Sequence, residues 1–236
     1  MQESLGVALS LLTNWDAQLA AIVYRSVLVS VWAASWACLL GAGLGGWLAM
    51  AQFRLKPVCV VLLQTLVAIP AVVVGLMAYL LLSRSGPLGG LGWLYSVKAM
   101  VFAQTVLVLP LASMLVMQLL DEGKRRLADR LGSMTDSHAW QAALLIADQW
   151  HAFLVIWVVC FGRAIAEVGT VMMVGGNIEG FTRVMTTAIA LETSKGDLPL
   201  AMALGFILLT VVLCLNVMVQ GINRLWRHTR TGHVLS

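Results

Sequence analysis

The stretch FGRAIAEVGTVMMVGGNIEGFTRVMTTAIALETSKGD, residues 161–197, decides how the chain is read. It begins as an apolar helix carrying Arg163 and Glu167, runs into Gly175, Gly176 and Gly180 around Asn177, and resumes as a threonine-rich helix. A charged side chain at the centre of a membrane-spanning helix costs about 2.5 to 3.5 kcal/mol on insertion scales, so both charges face protein or water rather than lipid. Four residues apart, they share a helix face and are able to pair. Two readings stand: polar lining of a pathway, or an ion pair that fixes helix packing. The bilayer favours the first, because a purely structural charge is costly there.

Working outward, the whole chain has the composition of a membrane protein. Hydrophobic residues make up 60% of it and charged residues 11%, with a mean hydropathy of +0.90; a soluble domain carries about a quarter charged residues. The net charge of +4 raises nucleic acid as a partner, but the basic residues cluster at the ends of apolar segments, which is how membrane topology is written. No nucleic-acid partner is expected, and the lipid membrane is the medium. Cys38, Cys59, Cys160 and Cys214 lie singly in apolar runs and read as small buried hydrophobes rather than metal ligands or disulfides.

Five apolar segments are long enough to span: 26–50, 58–82, 99–120, 153–174 and 198–219. No lysine or arginine precedes Arg25, so no signal peptide is expected, and 5–12 is too short to span and reads as a surface helix. Glycines at 41 and 45 let a neighbouring helix approach closely. Pro70 should kink or break the second span, and Pro110 lies inside the third. Residues 83–90 form a turn-rich loop.

The longest polar stretch, 121–150, changes character midway. Its first half is charged and ends at Gly132, a helix stop; Thr135, Asp136 and Ser137 are caps for a second helix with Trp140, Ala143, Leu144 and Ala147 on one face. This pair of short amphipathic helices is either a solvated loop lying on the membrane or a docking surface for a soluble partner. In the opening stretch, Thr182 is a candidate cap for a helix that Lys195 and Gly196 terminate. Its threonines, Thr186 and Thr187 among them, are either tolerated surface residues or hydroxyl donors suited to a passing oxyanion.

Counting positive residues sets the orientation. With the N-terminus outside, one face receives Arg54, Lys56, Lys124, Arg125, Arg126, Arg130, Arg224, Arg227 and Arg230, and the other only Arg25, Arg84, Lys98, Arg183 and Lys195. The positive-inside rule selects this arrangement, with the C-terminus and the 121–150 loop cytoplasmic.

With its membrane context and helix pair, the stretch 161–197 resembles the permease subunit of ABC importers of the molybdate and tungstate class. The run Glu167-Val-Gly-Thr-Val-Met-Met-Val-Gly-Gly-Asn177 is most similar to the tungstate-specific branch. The resemblance covers nearly the whole chain and implies an all-α integral membrane fold of type I importer permeases, one permease domain over 1–236. It implies a cytoplasmic coupling loop of pattern Glu-Ala-Ala, three residues, Gly; here Arg126-Leu-Ala128-Asp129-Arg130-Leu-Gly132 keeps the second alanine and the glycine but lacks the glutamate. Ala128, Asp129, Arg130 and Gly132 are thereby expected to couple to an ATPase, and Arg163, Glu167, Asn177, Thr186 and Thr187 to line the route. The implied partners are a second copy of the chain, two ATPase subunits and an extracytoplasmic oxyanion-binding protein. The implied location is the bacterial cytoplasmic (inner) membrane.

The chain contains no Gly-x-x-x-x-Gly-Lys-Ser/Thr loop, so ATP and its magnesium are expected on a partner, with no cofactor or metal on this chain. No nucleophile with its base and no metal cluster speaks for an enzyme. An ion-coupled secondary transporter of molybdate or sulfate, using Arg163 and Glu167 as a relay, and a membrane scaffold remain as alternatives.

Overall fold

In the computed structural model, the backbone is described for residues 17–134 and 150–232, and side chains for 17–124 and 150–221. Every regular element among them is helical: α1 (Ala17–Met50), α2 (Lys56–Ala68), α3 (Ala71–Leu82), a 3-10 turn (Gly89–Leu91), α4 (Val97–Met134), α5 (Trp150–Ile165), α6 (Gly169–Gly175), α7 (Met185–Lys195) and α8 (Leu198–Gly232). Three helices are each long and apolar enough to cross a membrane, Ala17–Met50, Val97–Lys124 and Leu198–Gly221. The other two apolar segments are bent pairs, α2 with α3 by 95° and α5 with α6 by 63°.

The first bend is the one expected at Pro70. Proline cannot donate to the preceding turn, and here it stands as the N-cap of α3 with φ −57° and ψ 129°, an extended conformation that no helix continues through. Its carbonyl accepts from Val73 at 2.9 Å and restarts the helix. By contrast α4 runs through Pro110 without interruption.

Three expectations are corrected. The segment 153–174 is not one helix: it stops at Ile165 and restarts at Gly169, ahead of the glycine cluster where the sequence placed the break. The charged stretch after the third span is not a separate short helix ended by Gly132, but the continuation of α4 through Gly132 to Met134. Leu127 to Arg130 are mostly good helix formers, and Gly132 inside a helix costs about 1 kcal/mol, not enough to stop it. Cys214 is exposed and Cys59 half-buried, whereas Cys38 and Cys160 are buried. The second amphipathic helix with its caps, and the surface helix at 5–12, lie outside the described residues.

The described residues divide into two compact units, one from 17–34, 69–107 and 161–212, the other from 35–68, 108–134, 150–160 and 213–232. The first has its core in Val29, Ala78, Leu82, Met100, Val171, Val174 and Val184, with Tyr79, Leu88 and Trp93 around it. There α3 and α6 come close because Gly75 lacks a side chain: a Cβ on it would stand 2.8 Å from the Thr170 Cα. In the second unit the glycines of α1 serve as expected, since a Cβ at Gly41 would stand 2.8 Å from the Ala112 Cβ and one at Gly45 would collide with the Ser113 carbonyl oxygen. Two lysines finish α1 in that unit: the ammonium groups of Lys124 and Lys56 donate to the Ala49 carbonyl at 2.6 and 3.4 Å. Cations at a helix C-terminus satisfy its orphan carbonyls and complement its dipole.

Candidate functional site

The site lies in the first unit, at the gap between α5 and α6. A helix end inside a bilayer leaves carbonyls and amides that water does not reach, so each needs a protein partner. At the α5 end, the Ala164 carbonyl accepts from the Glu167 amide at 3.2 Å and from the Gln104 side-chain amide of α4 at 2.9 Å. At the α6 start, one carboxylate oxygen of Glu167 accepts from the Gly169 and Thr170 amides at 3.0 and 3.3 Å. Its other oxygen accepts from Arg163 at 2.6 Å. A carboxylate that bonds to the amides two and three residues ahead draws the backbone out of the helix, which is why the segment breaks without a proline.

Neighbouring elements complete the knot. The Thr186 hydroxyl, near the start of α7, donates to the Glu167 carbonyl at 2.9 Å. The Thr170 hydroxyl donates to the Ala71 carbonyl at 2.8 Å and so ties this break to the one at Pro70. Gly169 allows the approach, because a Cβ there would stand 2.6 Å from a Val72 methyl. Glu167 is 7% exposed and Arg163 39%, so the carboxylate is internal while much of the guanidinium reaches the surface of the chain. Beside Glu167 is a cavity of about 10 Å³ bordered by Ser26, Ser30, Gln104 and Thr186. The Gln104 side-chain carbonyl is buried with no protein partner. A polar pocket of this size has room for about one water.

The remaining predicted residues form a second group. Asn177 has φ +50°, a left-handed conformation asparagine tolerates better than most residues, directly after Gly176 ends α6 at φ +71°. Its side-chain amide donates to the Thr187 carbonyl at 3.4 Å. The Thr187 hydroxyl accepts from the Val184 amide at 3.1 Å and caps α7. The capping expected of Thr182 is therefore corrected: Thr182 is fully buried and closes the preceding turn, accepting from the Ile178 amide at 2.9 Å and donating to the Gly175 carbonyl at 2.5 Å. Gly196, at φ +85°, ends α7 as expected.

The structure thus joins Arg163, Glu167 and Thr186 in one network and Asn177 with Thr187 in another. Ala128, Asp129, Arg130 and Gly132 lie on the helical backbone of α4, and their side chains are outside the described set. Sequence reasoning missed Gln104, Thr170 and Ser26, whose hydroxyl accepts from the Met185 amide at 2.7 Å. The signal for Gln104 was an amide within an apolar span; Thr170 and Ser26 carried none that distinguishes them from other membrane hydroxyls. Among the described residues no group of three or more His, Cys, Asp or Glu is placed to hold a metal ion. The arrangement is that of a polar, hydrogen-bonded wall with a cation at its edge, with chemistry for contact with an anion but no reacting group.

No family model matches the chain. Curated relatives do. It is 40% identical to the "Tungstate uptake system permease protein TupB" of Peptoclostridium acidaminophilum over 94% of this chain and 97% of that protein. The protein of the same name in Campylobacter jejuni is 35% identical over 73% of this chain and 72% of its own. A "Probable anion ABC transporter permease protein" of Haloferax volcanii is 36% identical over 80% and 86%.

Proposed function

The chain belongs to the tungstate-uptake permeases of ABC importers, and from that premise we propose that two copies of it form the route for tungstate across the cytoplasmic membrane. It is the transport subunit of the importer, not its catalytic chain, and works with an ATPase and a binding protein. The observation that carries the reading is the identity to tungstate permeases along almost the full length of both proteins. A dimer is supported by surface chemistry: α2 has no buried residue, and Leu209, Leu213 and Val217 of α8 are all more than 60% exposed. Such faces suit lipid or a second copy.

The mechanism we infer is alternating access with the N-terminus outside and the C-terminus cytoplasmic. ATPase subunits, without any nucleotide on this chain, dock at the cytoplasmic end of α4, where Ala128, Asp129, Arg130 and Gly132 lie. Because α4 is one helix from Val97 to Met134, its docking end and Gln104, which holds the end of α5, belong to the same element. Arg163 presents its guanidinium to the route, while Glu167, Thr186, Thr187 and Asn177 hold the wall in shape by the bonds described above. Rocking of such bodies, not local chemistry, opens one side and closes the other. A wall whose hydroxyls are already engaged holds a passing dianion weakly, as transport requires.

Cellular tungsten and molybdenum, measured by mass spectrometry with and without the chain and with an ATPase-dead partner, test this reading. Loss of tungsten alone, reproduced by the dead ATPase, is the expected result. Unchanged content of both metals would remove the cargo assignment, and uptake indifferent to the ATPase would leave an ion-coupled secondary transporter.

A further inference from the structure

Away from the α5–α6 gap, a cavity of about 220 Å³ lies between the first turns of α1 and the loop joining α6 to α7. Arg25 and Arg183 both border it, with Gln18 and Glu179. Arg25 has no ion-pair or hydrogen-bond partner among the described residues. Arg183 is 13% exposed and meets Glu179 at 3.4 Å through one terminal nitrogen, while its Nε is buried with no partner among the described residues. The other Glu179 oxygen accepts from the Gln18 amide at 2.6 Å. Among the described residues, two guanidinium groups against one carboxylate leave the cavity lining with one net positive charge.

The backbone under Arg183 is firm. The amides of Phe181, Thr182 and Arg183 all donate to the Ile178 carbonyl, at 3.2, 3.0 and 3.0 Å, and the Thr182 hydroxyl locks the same turn to Gly175. A guanidinium on a rigid turn loses little entropy on binding, and its planar fork suits oxyanions. The convergence also runs against the charge bias of the chain, since these two arginines belong to the face with few basic residues. A pair of cations there that one carboxylate only half neutralises calls for an anion.

We propose that this cavity is an anion-binding site on the outer side of the permease, taking a tetrahedral oxyanion dianion between Arg25 and Arg183. Gln18 supplies a neutral donor. Glu179 occupies Arg183 while the site is empty and competes with the anion for it, so the site accepts the ion without retaining it. The site rests on the oxyanion-cargo reading above, and adds to it a point of entry formed by this chain rather than by the binding protein.

The test uses the permease–ATPase complex in nanodiscs of zwitterionic lipid, without binding protein. Equilibrium dialysis against tungstate, molybdate and sulfate at constant ionic strength gives Kd. Arg25→Gln and Arg183→Gln are expected to weaken tungstate binding about tenfold each, as loss of one charge-assisted hydrogen bond predicts. Glu179→Gln is expected to tighten it by about the same factor. A gain of affinity is not an effect of misfolding, and Glu179 is largely exposed, so this variant decides. Unchanged affinity for every oxyanion in Glu179→Gln and Arg25→Gln overturns the site, and if tungsten uptake still depends on the chain, the cargo reading survives alone. If the variants shift sulfate but not tungstate and cellular tungsten is indifferent to the chain, the site stands and the cargo reading falls.

Discussion

At Pro70 the chain breaks where a residue without an amide hydrogen stands, whereas at 166–168 it breaks with no proline, around a buried carboxylate. The first break starts from one residue that cannot donate to the preceding turn, and the Thr170 hydroxyl helps to hold it. The second is held by Glu167 within the break and by side chains of three helices: Gln104 of α4, Thr170 of α6 and Thr186 of α7. In a bilayer the free carbonyls and amides of a broken helix have no water to meet, so a break of the second kind survives only where neighbours supply every partner. The single bond from Thr170 to the Ala71 carbonyl joins the two. The proline break is thus marked by a single residue of the sequence, whereas the carboxylate break is a property of the packed protein.

The largest effect is expected at Glu167. Glu167→Ala removes the acceptor of two amides and of Arg163, and should lower stability by about 3 kcal/mol or more, from a lost charge-assisted bond and a lost helix cap. Thermal unfolding in detergent measures it, and cellular tungsten should fall to the level without the chain. Glu167→Gln keeps one acceptor oxygen and separates shape from charge: unchanged uptake would mean that the carboxylate matters only as a cap.

A smaller loss is expected for Thr170→Val, which leaves the half-buried Ala71 carbonyl without its hydroxyl at nearly constant volume, at about 1 kcal/mol. Stability unaltered within measurement error would show that the two breaks are independent. The smallest effect is expected at Pro70 itself. Since its φ and ψ are open to alanine and the bend is also held by Thr170, Pro70→Ala should cost only about 0.4 to 1 kcal/mol, by freeing the unfolded chain. A loss several times larger would show that the proline, not its neighbours, makes that break.

The elements legible from sequence were those whose cause is local. Apolar length disclosed the segments that reappear as α1, α4, α8 and the two bent pairs. The proline marked the α2–α3 break, and the spacing of Arg163 and Glu167 anticipated their ion pair at 2.6 Å. Gly41 and Gly45 were readable as a close approach because absence of a side chain acts the same way in any helix. The position of the second break was not legible, since Glu167 looks like a mid-helix charge until Gly169 and Thr170 turn their amides to it. Nor was the true work of Thr182, whose hydroxyl closes a turn instead of capping α7.

By itself the sequence determined the medium, the number of apolar segments, the uneven distribution of positive charge and the likeness to oxyanion permeases. These follow from hydropathy, charge and motif, which sum along the chain without regard to what folds against what. Only the tertiary structure decided which carbonyl Gln104 serves, that Glu167 shapes a helix start, and that Arg25 and Arg183 border one cavity. Hydrogen-bond satisfaction and charge convergence are relations between segments distant in sequence, and they come into being when the helices pack.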